Sequence, residues 1–185
     1  MRKGKERESG FYDRIHAHSK HKQRNKAIWR IILKELIREP NKILDLGCGG
    51  VAFGMLCLQH GHVYVGVDFS QVAIDDAKAK MPEGEYHLVD LREDLDIIEQ
   101  GDYDTIIAIE FFEHINKDRE VIEAIPSGKR VVFSVPNFWS KDHVRVFENE
   151  EAIISRYGAL LDIKKTFMIA KRKTRKKVVV DSIKR

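Results

Sequence analysis

Cysteine is scarce: 185 residues hold only two, Cys48 and Cys57. Two thiols cannot build a disulfide framework or a four-thiolate zinc site. Long apolar runs are missing as well, since none approaches the ~20 residues of a membrane span. The first thirty residues are too charged to hold the apolar core of a signal peptide, so a cytoplasmic protein without a membrane partner is expected. Internal repeats and low-complexity linkers are absent, which leads to the expectation of one domain over 1–185, with a helical segment to about 38 and the core from 40 onward. Mixed charge is plentiful, with 33 Lys plus Arg against 29 Asp plus Glu, and 43% of residues are hydrophobic. That balance excludes a disordered or collagen-like chain. A chain of this length buries roughly 70% of its unfolded surface.

The net charge of +4 is unevenly spread. Residues 1–30 carry ten basic and three acidic side chains, and residues 164–185 carry ten and one. The stretch between them holds thirteen basic and twenty-five acidic residues. Basic ends can mark a nucleic-acid footprint, or they can fold back onto an acidic body. The C-terminal cluster, KRKTRK, falls in an expected hairpin turn. That placement, distant from the first four strand ends, weakens it as a nucleic-acid signal.

From residue 42 onward, β-rich runs alternate with helical stretches. Strands are expected at 42–46, 62–68, 85–89, 103–109 and 130–135, with helices near 51–60, 71–80, 92–99 and 118–124. This alternation indicates βαβ units and a parallel sheet covered on both faces. The runs 160–170 and 177–183 read as a closing antiparallel hairpin. The N-terminal helical stretch ends before Pro40.

Ligands of open α/β sheets sit beyond the carboxyl ends of the strands. Here each of four strand ends carries an acid: Asp45, Asp68, Asp90 and Glu110. The first strand runs into a glycine turn of Gly47, Gly49 and Gly50, where backbone can approach a ligand closely. Asp68 follows at the spacing from which an acid accepts hydrogen bonds from ribose hydroxyls. The degenerate pattern Gly47-x-Gly49-x-x-Ala52 brings NAD into consideration, but acids around the turn would repel a pyrophosphate. A cationic adenosine derivative, S-adenosyl-L-methionine, suits an acid-rimmed pocket better. Any one of these acids could simply cap a helix. Four in register with a glycine turn argue for a ligand.

The segments ILDLGCGG, VGVDFS, HLVDL and IEFFEHI, in that order, resemble the class I (Rossmann-like) S-adenosylmethionine-dependent methyltransferases over about 40–150. The resemblance implies an α/β, doubly wound seven-stranded sheet of order 3-2-1-4-5-7-6, with the last strand antiparallel and helices on both faces. It passes Gly47, Cys48 and Gly49 under the methionine moiety, gives Asp68 the ribose and sets Phe69 beside the adenine. Asp90 and the Leu91 amide would read the adenine edge. GFYD resembles a lid segment, which gives Tyr12 a cofactor contact. The sequence departs from the family by one glycine: Val51 stands where a third is usual.

A second constellation follows the fourth strand. Glu110, Glu113 and His114 form ExxEH, which would share one face if the chain turned helical there. His143 lies on the next strand-end loop. Together they offer an oxygen and nitrogen set suited to a divalent cation such as Mg²⁺ or Mn²⁺. The arrangement resembles two metal-using groups, the small-RNA 3′-terminal 2′-O-methyltransferases and the ubiquinone-pathway O-methyltransferases. Without a metal, His114 or His143 would serve as the general base, because imidazole titrates near neutral pH.

Phe11, Tyr12, Phe138 and Trp139 are expected to wall the acceptor pocket. His16, His18 and His21 read as a solvated helix face. Three functions remain open: O-methylation of a small-molecule acceptor such as a sugar, 2′-O-methylation of RNA ribose, and non-catalytic cofactor binding. No oligomeric state is assigned.

Overall fold

Apolar residues fill both faces of every central strand, as a parallel sheet covered on two sides requires. The computed structural model describes residues 4–18, 25–170 and 175–185. Its strands are β1 (Lys42–Leu46), β2 (Val63–Asp68), β3 (Glu85–Leu88), β4 (Thr105–Ile109), β5 (Arg130–Pro136), β6 (Leu161–Ala170) and β7 (Lys176–Lys184). They form one sheet in the order β3-β2-β1-β4-β5-β7-β6, as the resemblance implied. β1 to β5 are parallel, and β7 runs against both β5 and β6.

The two-residue period of each strand sorts its side chains into two cores. Ile43, Tyr64, Ile107, Val132 and Val179 face one side. There they meet α2 (Lys26–Ile31) and the π-helical turn after it, α3 (Ala52–Gln59) and α4 (Gln71–Lys80). Leu44, Val65, Ile106, Val131 and Phe133 face the other side, covered by α5 (Asp96–Glu99), α6 (Asp118–Glu123) and α7 (Glu150–Tyr157). The first helix, α1 (Ser9–His18), precedes these and lies across the carboxyl ends of the strands, where its Tyr12, Ile15 and His16 line a cavity.

The expected strands and most expected helices are observed to within a residue or two; α7 has no counterpart among the expected helices, and three corrections follow. The helix expected at 92–99 begins only at Asp96. Asp90 accepts from the Arg92 amide and Asp94 from the Asp96 amide, and these local bonds hold a turn instead. The ExxEH segment is not helical: it is a series of turns. The third correction concerns charge. Because β7 opposes β5, with Lys177 paired to Pro136, the basic residues Arg175 and Lys176 share a rim with the parallel strand ends and are not remote from them. Residues 171–174, His21 and the side chain of His18 lie outside the described residues. Among the described residues, no helix is long and apolar enough to cross a membrane.

Candidate active site

Strand order reverses between β1 and β4, which opens a crevice at their carboxyl ends. The turn after β1 holds Gly47 at φ 69° and Gly49 at φ 54°, both left-handed. A Cβ on Gly47 would also lie 2.6 Å from the Phe111 ring. The Gly47 and Cys48 amides both donate to the Val67 carbonyl, at 2.9 and 3.0 Å, which ties the turn to β2. Val51 keeps an ordinary helical φ of −65° and buries its side chain, so the missing third glycine falls where left-handed backbone is not needed.

A cavity of about 390 Å³ opens above this turn. Its walls bring together Tyr12, Gly47, Gly49, Asp68, Phe69, Asp90, Leu91, Glu110 and His114. An adjoining cavity of about 280 Å³ shares the two glycines and adds Asp45 and Cys48. Asp68 is 8% exposed and accepts from the Gly49 and Ser70 amides, both at 2.9 Å. Burial raises its carboxyl above the usual range, against the pull of those amides. The cap of α4 is Ser70, whose Oγ accepts from Ala73, so Asp68 is left to the cavity. Asp45 sits below the turn and accepts from the Tyr64 hydroxyl at 2.7 Å; burial lifts it to about 7. Burial also pushes the Cys48 thiol well up, so it stays protonated and offers the site only its backbone.

Asp90 lies on the cavity wall with both oxygens turned to Arg92, at 2.8 Å to Nε and 2.6 Å to Nη2. The Arg92 guanidinium in turn sits 5.1 Å from the centre of the Phe69 ring. Arg92 was not visible as a site residue in the sequence. Neither was His16, whose ring lies against Gly49 and lines both cavities. This corrects the expectation of a solvated histidine face, at least for His16.

The second constellation divides. Glu113, His114 and His143 come together, each offering a ligand atom within 4.8 Å of the others. Glu113 is fully buried and neither carboxylate oxygen has a hydrogen-bond partner. Burial, with Glu110 nearby, raises its carboxyl well above the usual range. His114 Nδ1 meets the Asp142 carbonyl at 3.0 Å, and His143 Nδ1 meets the Phe138 carbonyl at 2.9 Å. A carbonyl only accepts, so each Nδ1 carries a proton, and the neutral form of each ring keeps its lone pair on Nε2. Burial and the neighbouring His114 lower the His143 pKa, which favours its neutral, ligating form.

Glu110 is drawn elsewhere. It adopts a left-handed φ of 56°, accepts from Ser134 Oγ at 2.9 Å and pairs with buried Lys177 at 2.5 Å. Lys177 reaches it from β7 and also donates to Asn25 at 3.0 Å. No sequence signal marked Lys177, because only the β5–β7 register brings it there. Tyr12 bridges the two halves: its ring lies 5.3 Å from Phe69 and 6.0 Å from His114. Its hydroxyl is buried without a partner, and burial together with Asp142, Glu113 and Asp68 raises its pKa, so it remains a donor. Phe138 stands 5.9 Å from the His143 ring, on the expected acceptor side.

A family described as "Methyltransferase domain" matches residues 44–127. A ubiquinone biosynthesis O-methyltransferase of Coxiella burnetii is 26% identical over 114 residues, covering 58% of this chain and 49% of that protein. The chain therefore spans about half the length of this relative. An Escherichia coli O-antigen chain terminator bifunctional methyltransferase/kinase, WbdD, is 30% identical over 88 residues, covering 45% of this chain and 12% of that protein. Among solved structures, the N-methyltransferase NodS from Bradyrhizobium japonicum WM9, in complex with S-adenosyl-L-homocysteine, superposes with a TM-score of 0.76 at 14% identity. That match covers 95% of this chain and 97% of NodS. It carries the fold.

Proposed function

Taking the chain as a member of the class I S-adenosylmethionine-dependent methyltransferase family, we propose that it methylates a hydroxyl of a small molecule, with a divalent cation held by Glu113, His114 and His143. The observation that carries this reading is the double position of His114. It lines the cavity over the glycine turn, and it belongs to the cluster of three ligand-type residues. A cofactor seated on that turn and an acceptor seated on that cluster would meet beside it.

The residues divide the work. The Gly47 and Gly49 backbone and Asp68 hold the cofactor, which supplies an electrophilic methyl group. Methyl transfer is an in-line displacement, so much of the acceleration comes from fixing the two partners in line. The helix Ser9–His18 supplies part of that order: Tyr12 and His16 close over the cavity, and Asp13 ties the helix to Ser70 at 2.5 Å. An alcohol must also lose its proton. A bound divalent cation would lower the pKa of a hydroxyl that it touches. Glu113 fits such an ion because a buried carboxylate without a partner is costly until a cation answers it. Where no ion is bound, Nε2 of His114 holds the lone pair that takes the proton. An amine acceptor needs less activation and would leave this cluster without a role.

The test is calorimetry with S-adenosylhomocysteine and Mn²⁺ on the wild type, Asp68→Ala and Glu113→Gln. The proposal expects Asp68→Ala to lose the cofactor product while keeping Mn²⁺, and Glu113→Gln to do the reverse. Mn²⁺ binding that survives Glu113→Gln would overturn the metal assignment. Undetectable S-adenosylhomocysteine binding in the wild type would overturn the methyl-transfer reading itself.

A further inference from the structure

We propose that the methyl acceptor carries phosphate near the reacting hydroxyl, and that the two basic ends of the chain converge to hold it. This rests on the methyl-transfer reading above. The meeting point is the loop from Asn137 to His143, which joins the end of β5 to the ligand cluster.

The N-terminal segment binds this loop first. Gly4 packs so closely on it that a Cβ would lie 2.5 Å from the Ser140 carbonyl and 2.6 Å from that of His143. Lys5 N and Arg7 Nη2 both donate to the Lys141 carbonyl, at 3.4 and 3.0 Å. Arg7 and Lys141 share the Phe11 ring, at 5.1 and 4.9 Å from its centre. The C-terminal hairpin binds the same loop from the other side. Lys176 N donates to Asn137 Oδ1 at 2.7 Å, and Arg175 lies 5.2 Å from the centre of the Phe138 ring. The loop ends at His143, whose ring stands 5.0 Å from that of His114.

Three side-chain cations thus gather around one loop, Arg7, Lys141 and Arg175, and the backbones of Lys5 and Lys176 bind it as well. Among the described residues, none of them pairs with an acid, whereas Arg92, Arg130, Arg145, Arg156 and Lys177 all do. The nearby acids are already engaged. Glu6 accepts from Asn116, and Asp142 accepts from Ser140 and lies 3.5 Å from His114. Like charges gathered without counter-charges repel one another, and an anion would relieve that repulsion. Arg7 supplies a second, independent sign: its Nε is buried without a partner, and the residue lines the same cavity as His114. Two guanidinium groups with an ammonium group suit a multiply charged tetrahedral oxyanion better than a single carboxylate. A small phosphorylated acceptor and an RNA strand both offer that chemistry.

The experiment titrates inorganic pyrophosphate and, separately, octauridylate into the full chain saturated with S-adenosylhomocysteine, at 50 and 200 mM salt. The proposal expects at least one probe to bind. It also expects Lys141→Glu with Arg175→Glu to weaken that binding at least tenfold while S-adenosylhomocysteine affinity stays within twofold. The milder Lys141→Gln with Arg175→Gln should give an intermediate loss, which guards against misfolding of the reversed pair. Octauridylate binding more tightly than pyrophosphate, with a steep salt dependence, assigns the phosphate to a strand. Pyrophosphate binding as tightly as octauridylate assigns it to a small acceptor. Failure of both probes at 50 mM salt, or binding that the substitutions leave unchanged, overturns the proposal while cofactor binding still stands.

Discussion

The cofactor side and the acceptor side of this cleft are built by different means. Around β1 and β2 the site is made from backbone and short-range geometry. Gly47 and Gly49 supply left-handed turns, two amides grip Val67, and Asp68 answers the amides of Gly49 and Ser70. Around β4, β5 and β7 the site is made from side chains that are distant in sequence. Lys177 reaches Glu110, Val144 N donates to the Glu113 carbonyl, and Arg145 donates to the Phe112 and Ile115 carbonyls. Asp118, itself fully buried, anchors Arg145 at 3.1 Å. The first kind of site tolerates little change in its own few residues. The second depends on the register of the whole sheet.

Breaking the cofactor side should have the largest effect. Asp68→Ala leaves two amides without an acceptor and removes the acid facing the cavity. S-adenosylhomocysteine affinity should fall about 100-fold, ~2.7 kcal/mol, by calorimetry. Affinity within threefold of wild type would show that the turn holds the cofactor without it. On the acceptor side, Lys177→Met strands Glu110 in a mostly buried place. Urea unfolding should report a loss of about 2 kcal/mol, with cofactor affinity little changed. An equal loss on both readouts would mean that the two sides are not separable.

Glu113→Gln sharpens the contrast in the opposite direction. It removes a buried carboxyl group that has no hydrogen-bond partner and only a 3.8 Å approach from His114 Nε2, so the metal-free protein should gain about 1 kcal/mol of stability. A stability loss would show that some partner already holds Glu113. The smallest effect concerns Asp45, whose carboxyl is raised to about 7 by burial. Its contribution to stability is complete below the unfolded pKa of ~3.9 and fades as pH rises through about 7. Asp45→Asn should flatten stability against pH between about 4 and 7, because the Tyr64 hydroxyl can still donate to the amide oxygen. An unchanged slope would assign the pH dependence to other groups.

These two modes of construction explain what the sequence revealed. Glycines before an acid at a strand end, and β runs alternating with helices, are local signals, so β1 to β5 and most cavity residues were legible, while the sheet order followed only from the family resemblance. ExxEH was legible as a cluster but not in its shape. A helix would have aligned Glu110 with Glu113 and His114, whereas the left-handed φ at Glu110 turns it toward Ser134 and Lys177. Arg92 was hidden because its role comes from a turn held by Asp90 rather than from a helix face. The basic ends were countable from the first, yet only the antiparallel course of β7 and the close packing of Gly4 place them at one loop.

The most direct test of the central claim is a crystal structure of the full chain with S-adenosylhomocysteine and Mn²⁺. The account predicts the ligand over Gly47 and Gly49 with its ribose at Asp68, and anomalous density for Mn²⁺ between Glu113, His114 and His143. Ligand density away from the glycine turn, or Mn²⁺ bound to other side chains, would contradict it.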